Sequence, residues 1–259
     1  MKIGIVLSGG GARGVAHIGV LKALDEMGVV IDCMAGTSAG SLVGALYAQG
    51  IRPDAIFELI KSVRILNSVR PAWARTGLLN MEGMKELLQK NIPVDNFNSL
   101  TIPLTIAATD IRKGRVHYFS EGELIDAIVA SCSIPAIFNP VNIRGNLYVD
   151  GGLVDNLPVR PIRNQCDLII GSHCNNISTD VDVTNIKLVI ERSLLLAIHS
   201  NTETSRNMCD VFIEPPRMDR FSSIDLSKAQ EIFDFGYQFT MQNFLPHHFK
   251  KSISAISGH

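Results

Sequence analysis

The stretch that most constrains this chain is Gly36-Thr37-Ser38-Ala39-Gly40, set between the apolar Cys33-Met34-Ala35 and the run Ser41 to Ala48 that Gly50 closes. The pattern is strand, very tight turn, helix, with a serine at the apex. Glycines two before and two after that serine remove the Cβ atoms that would collide when a strand folds straight back against a helix. A serine so placed stands at a helix N-terminus, where backbone N–H groups face any developing negative charge. Taken alone, the stretch reads equally as a Gly/Ser turn that only caps a helix. No charged residue occurs from Cys33 to Ile51, a length that would just span a bilayer, but four glycines, two serines, a threonine and a glutamine make a buried strand and helix the better reading.

Upstream, Lys2 to Ser8 reads as a short, β-branched, buried strand running into Gly9-Gly10-Gly11-Ala12-Arg13-Gly14. Val15, Ile18, Leu21 and Leu24 then recur every three residues up to Gly28, which marks an amphipathic helix and its stop. A strand, a glycine loop and a helix present several free N–H groups to an anion. Two such strands, adjacent in sequence and parallel, deliver both loops to the same carboxyl edge, so Gly9 to Gly14 is expected beside Ser38, with the Gly10 and Gly11 amides aimed at an oxygen that turns anionic. The loop also spells G-x-G-x-x-G, and Asp32 stands near where a ribose-binding acid of a dinucleotide site belongs. That acid should close the second strand, whereas Asp32 precedes Cys33-Met34-Ala35 and so opens it.

Further along, Pro53 suits the first turn of a helix to about Val63. Residues 64–79 mix Arg64, Arg70 and Arg75 with Ile65, Leu66, Val69 and Trp73, a composition that suits a lid or headgroup-contacting segment as well as a solvated loop. Asn80 is expected to cap a helix to Gln89 or Lys90. Residues 102–109 and 116–119 read as a hairpin, 123–132 as a helix ending in Ser131-Cys132-Ser133-Ile134-Pro135, and Val141 to Val149 as a second hairpin turning at Arg144-Gly145-Asn146. That hairpin delivers Asp150-Gly151-Gly152. An acid at a strand end followed by two glycines can approach another backbone closely, as a general base for Ser38 requires, or it can simply make an Asx turn. A strand at 167–173, a helix at 187–206, a strand at 210–213 and a helix at 227–243 complete the chain, with a poorly ordered tail expected from Pro246.

Taken together and in register, the glycine loop, Gly36 to Gly40, Ser131 to Pro135 and Asp150-Gly151-Gly152 resemble the patatin-like phospholipase family over about residues 3–160. The resemblance implies a three-layer α/β fold with a mostly parallel central sheet. It also implies hydrolysis of lipid carboxylic esters by a serine–aspartate dyad, with Ser38 as nucleophile and Asp150 as base. Gly9, Gly10, Gly11, Ala12, Arg13 and Gly14 would make the oxyanion hole, and Gly36, Gly40, Gly151 and Gly152 would support the turns. The substrate would be a lipid or other acyl ester. The family also holds members without demonstrated lipase activity, so a regulatory or binding protein that kept the motifs is the alternative, and the dinucleotide reading comes third. After residue 165 no motif is recognised.

A histidine-dependent triad would draw on His173, at the end of the 168–170 strand, or less well on His199 inside a helix, while His17 reads equally as packing. No cofactor is called for, and no histidine–carboxylate cluster has metal-ligand spacing. Length suits one domain over all 259 residues. Lys plus Arg number 24 against 25 Asp plus Glu, so the net charge of −1 gives no general attraction to nucleic acid or to an anionic membrane. Contact with a membrane surface would be local and transient. The odd number of cysteines, without a C-x-x-C pair, suits reduced thiols in a cytoplasmic protein. Ile3 to Leu7 is too short for a secretory core and runs into glycines in place of a cleavage site.

Overall fold

The computed structural model describes residues 1–62, 70–71, 79–135, 137–176, 184, 186–223 and 225–249. In chain order the elements are β1 (Ile3–Leu7), α1 (Val15–Glu26), β2 (Cys33–Thr37), α2 (Ala39–Ala48), α3 (Pro53–Ser62), β3 (Arg70–Pro71), β4 (Leu79–Asn80), α4 (Glu82–Asn91), β5 (Leu104–Asp110), β6 (Arg115–Phe119), α5 (Leu124–Ser131), β7 (Val141–Ile143), β8 (Asn146–Asp150), α6 (Arg160–Arg163), β9 (Leu168–Ser172), α7 (Ile186–Arg206), β10 (Val211–Ile213) and α8 (Ala229–Asn243).

Strands β10, β9, β1, β2 and β5 lie side by side and parallel. Every residue of β1, β2, β5 and β9 is buried. That accounts for their unbroken apolar runs, since a parallel sheet has both faces covered and no reason to alternate. On one face Ile5, Leu7, Met34, Leu104 and Ile106 pack with α1, α2, α3, α5 and α8. On the other, Val6, Ala35 and Ile169 meet Leu157, Val159 and Ile162 around α6. These are the three layers that the sequence leads one to expect.

The far side of the sheet turns antiparallel and sets up the site. Strand β5 pairs with β6 along one edge, and its other edge is shared. β2 occupies the first half, with Thr37 opposite Ala107, and β8 comes from the opposite direction to take the second half, with Asp150 opposite Ala108. The ends of β2 and β8 therefore meet head-on at neighbouring positions of one edge. The residues that follow Thr37 and close β8 are Ser38 and Asp150.

Two expectations are corrected. Asn80 does not cap α4; its backbone is engaged with Arg70 in the β3–β4 ladder, and the helix begins at Glu82 with Met81 in the cap position. Residues 246–249 form a 3-10 turn whose Phe249 is 1% exposed and belongs to the main core, so the apolar ring overrides the polar composition around it, while the rest of the expected tail, 250–259, lies outside the described residues. The structure also joins the sulfurs of Cys33 and Cys166 over Gly4, where five separate thiols were expected. Their Cα atoms are 7.6 Å apart, wider than a disulfide spans without backbone movement, so a tightly packed pair of thiols is the better chemical description. The segment 64–79, expected as a lid, a headgroup-contacting stretch or a solvated loop, lies outside the described residues apart from β3 and β4.

Candidate active site

Ser38 occupies the turn between β2 and α2 with φ 52° and ψ −124°, a backbone conformation that a residue bearing a Cβ rarely adopts. The surroundings hold it there. Its N–H donates to Ser131 Oγ at 2.8 Å, and that hydroxyl donates onward to the Ala107 carbonyl at 2.7 Å. Gly36 and Gly40 leave no room for side chains: a Cβ on Gly36 would stand 2.6 Å from the Gly40 carbonyl oxygen, and one on Gly40 would strike the Leu7 carbonyl. The glycine spacing of the motif is thus a steric requirement of strand, turn and helix in contact.

Asp150 is 8% exposed and Ser38 6%. Oδ1 of Asp150 accepts the Gly152 N–H at 2.8 Å, and the Ser38 side chain lies close enough to the carboxylate to favour its charged form. Burial raises its pKa from 3.8 to about 6, partly offset by the nearby Ser38 side chain and the Gly152 N–H. Gly151 lies against the Ala107 carbonyl and Thr37, where a Cβ would not fit, so the two glycines let Asp150 close on the turn. The Asx-turn reading and the close-approach reading hold together, because the bond to Gly152 N–H is the one that aims the carboxylate. Cys132 is buried beside both residues, and burial together with the Asp150 charge pushes its thiol well above the ordinary range.

The glycine loop runs as a 3-10 turn, Gly11–Gly14, into α1, and Gly9 lies against Ser38, with a Cβ position 3.1 Å from the serine Cβ. Its six residues are not equivalent. The Gly9 N–H donates to Asn156 O, the Ala12 N–H to Ser223 O and the Arg13 N–H to Gly10 O. Among the described residues no acceptor is bonded to the N–H of Gly10 or Gly11. The Arg13 side chain is buried and turned away, with Nε donating to the Phe221 carbonyl at 2.8 Å, so it ties the loop to residues 219–221. Gly14 meets Ala39 at the crossing of the two helix starts.

The histidines stand apart from this chemistry. His17 is fully buried, its Nε2–H donating to the Ser8 carbonyl and its Nδ1 accepting from Ser172 Oγ, since a carbonyl can only accept. Burial lowers its pKa to about 4, and it is neutral packing. His173 directs Nδ1 at Glu214 Oε1, 2.7 Å away, and among the described residues neither it nor His199 is hydrogen-bonded to Ser38 or Asp150. Asp32 lies at the amino edge of the sheet, where Oδ2 accepts the Ile3 N–H at 2.7 Å. That is the opposite edge from the glycine loop and removes the acid a dinucleotide site would need there. No group of three metal-ligating side chains occurs among the described residues.

Four further residues support the site: Ser131, which the family motif contains but to which no role was assigned, and Asn156, Asn201 and Asn175, which motif reading passed over. Ser131 backs the Ser38 turn, as above. The Asn156 carboxamide lies between Gly9 and Gly152, and Asn201 of α7 bonds both Asn156 N–H and Gly152 O, which links the two turns to that helix. Asn175, just beyond β9, donates through Nδ2 to the Gly9 carbonyl. Each acts on a partner far away in sequence, so no local pattern announces its role.

A family model described as patatin-like phospholipase matches residues 5–163, which take in every motif above. An uncharacterized NTE family protein of Mycobacterium bovis is 37% identical over 67% of this chain and 49% of its own length. Lysophospholipase NTE1 of Kluyveromyces lactis is 27% identical over 99% of this chain and 20% of its own. The chain therefore spans about half the length of the first relative and a fifth of the second. Among solved structures, VipD from Legionella pneumophila superimposes with a TM-score of 0.57 at 16% identity, covering 93% of this chain and 66% of that one, a likeness of fold.

Proposed function

The chain belongs to the patatin-like phospholipase family, and from that premise we propose that it is a serine acyl hydrolase of lipid carboxylic esters working through a Ser38–Asp150 dyad. The observation that carries this reading is the meeting of β2 and β8 on one edge of β5, which sets Ser38 against a buried carboxylate with a pKa of about 6. A free aspartate is too weak a base for a serine hydroxyl near neutrality, and burial is what brings it into range.

In the proposed cycle Ser38 Oγ attacks the acyl carbonyl carbon while Asp150 takes its proton. The oxygen that becomes negative is met by the unoccupied N–H groups of Gly10 and Gly11, and the remaining loop residues hold those two in place. Asp150 then returns the proton to the leaving alkoxide. A water deprotonated by Asp150 clears the acyl-enzyme. Esters suit a dyad without histidine, because an alkoxide departs more easily than an amine. A single-acyl phospholipid is the natural first substrate, in line with the name of the Kluyveromyces relative. No helix among the described residues is long and apolar enough to cross a membrane, and we propose that the enzyme meets its lipid from the aqueous side, at the membrane periphery.

The test is release of chromophore from p-nitrophenyl esters of graded chain length, alongside lysophospholipid hydrolysis, for wild type, Ser38→Ala and Asp150→Asn. Loss of about three orders of magnitude or more in kcat for either variant, with folded-state spectra unchanged, is expected. Wild-type protein inert on every ester and unlabelled by a fluorophosphonate would sink the hydrolase reading in favour of a binding protein that kept the motifs.

A further inference from the structure

The loop beside Ser38 offers N–H groups only because its carbonyls are tied back. A trans peptide directs its C=O and N–H to opposite sides, so fixing one aims the other. The Ser8 carbonyl is held by His17 Nε2, and the opposite Gly9 N–H goes to Asn156. The Gly10 carbonyl is held by the Arg13 N–H, which leaves the Gly11 N–H facing the other way. Between these two lies the Gly9–Gly10 peptide, whose carbonyl is taken by Asn175 Nδ2, with Cys174 Sγ as a weak second donor at 3.6 Å.

Asn175 arrives there by register. β9 pairs with β1 with Ser172 opposite Leu7, so residues 173–175 leave the sheet alongside residues 8–10. Its side chain is 5% exposed. The bond to a carbonyl fixes the orientation of the amide, because only the nitrogen can donate. Oδ1 is then left buried without a partner among the described residues, 3.1 Å from where a Cβ on Gly10 would stand. An orphaned acceptor is a cost, which the bond from Nδ2 to the Gly9 carbonyl has to offset.

We propose that Asn175 is a positioning residue for the oxyanion donors, which it serves by holding the Gly9–Gly10 peptide with the Gly10 N–H toward Ser38. The inference rests on the hydrolase reading above and reaches past the family match, which ends at residue 163. Glycines on both sides make this peptide easy to turn over, since no Cβ hinders rotation. A turned peptide would present the Gly9 carbonyl to the anionic oxygen, an acceptor where a donor is needed. The Asn175 bond forbids that turn.

Asn175→Leu and Asn175→Asp remove the donor while nearly keeping the shape, and the carboxylate additionally repels the Gly9 carbonyl. Both are expected to lower kcat by about 10- to 1,000-fold, up to the loss seen on removing an oxyanion donor, with KM within about threefold, folded-state spectra unchanged and a melting temperature lowered by the lost bond. Affinity for a trifluoromethyl ketone, which forms an oxyanion on Ser38, should fall in parallel, and Asn175→Gln should recover part of the loss. Near wild-type kcat in either variant, a loss confined to KM, or unchanged ketone affinity would overturn the proposal. If Asn175→Leu does not fold, Asn175→Asp decides. If the wild type itself is inert, the hydrolase reading has failed, and the anchor is judged in glycine-15N-labelled protein: an unmoved Gly10 amide signal in Asn175→Asp overturns it, a displaced one supports it.

Discussion

Ser38 keeps a backbone conformation, φ 52° and ψ −124°, that glycine accepts freely and serine does not. The strain should be measurable apart from chemistry. Ser38→Gly and Ser38→Ala both delete the hydroxyl, but only glycine relieves the backbone, so Ser38→Gly is expected to be more stable by about 1–3 kcal/mol in urea titrations. Equal midpoints would mean that the turn carries no strain. Ser131 supplies the restraint: Ser131→Ala leaves the buried Ser38 N–H without its acceptor and should cost about 1–3 kcal/mol, with a lower kcat as the turn relaxes. At this scale the sequence was legible where a residue's backbone conformation follows from its immediate neighbours. Ser38 and Asp150 each stand in a glycine-defined turn that announces an unusual backbone. Asn156 and Asn175 act across 147 and 166 residues on Gly9, and a partner so distant leaves no local trace; Ser131, which acts across 93 residues on Ser38, showed in the sequence only as part of a family motif, without its role. Arg13 shows the converse, since its place in the motif suggested the oxyanion site while its side chain serves carbonyls of residues 219 and 221.

Elements were legible wherever periodicity and punctuation agreed. The buried strands, the two hairpins and the amphipathic α1 follow from apolar runs bounded by glycines, and proline or glycine marks most of the ends. What periodicity does not contain is register. The meeting of β2 and β8 on one edge of β5 depends on where each strand stops against a third, and this alone turns two separate turns into one site. The start of α4 was misplaced for a similar reason, because a ladder partner claimed Asn80. At the C-terminal end, histidines and lysines suggested disorder, yet Phe249 inserts into the core and packs with Phe244, ring centroids 6.1 Å apart. Replacing it with alanine should destabilise the protein by about 3 kcal/mol or more, as for other buried phenylalanines. A midpoint unchanged in Phe249→Ala would show that the last turn is only loosely attached. The cysteines offer a check on the layer beneath α6: denatured protein, without reductant, should react with five equivalents of Ellman's reagent, and three would mean that Cys33 and Cys166 are bridged.

For the molecule as a whole, the site leaves a signature in stability against pH. Asp150 has a folded-state pKa of about 6 against 3.8 and His17 one of about 4 against 6.5, both moved chiefly by burial. Between about pH 4 and 6 the folded protein keeps a proton on Asp150 that the unfolded chain has lost, so this group's contribution to stability falls as pH rises. Over nearly the same window the unfolded chain protonates His17 while the folded protein does not, so that contribution rises with pH and is lost as pH falls toward 4. Each amounts to about 3 kcal/mol at ~1.4 kcal/mol per pH unit, and the two oppose each other. Wild type should therefore show little net slope from this pair. Asp150→Asn keeps an oxygen for the Gly152 N–H but cannot titrate, so it uncovers the His17 arm. Relative to wild type it should be about 3 kcal/mol more stable above pH 7, lose that advantage steadily on acidification, and match wild type near pH 4. Carboxylates displaced elsewhere, such as Asp155 and Glu214, are common to both proteins and drop out of the difference. In the same titration wild-type kcat/KM should climb through about pH 6 as Asp150 gives up its proton and becomes able to act on Ser38. Urea midpoints that run parallel for the two proteins from pH 4 to 8 would mean that the carboxylate is not held out of water, and with that the dyad would lose the physical reason for working without a histidine.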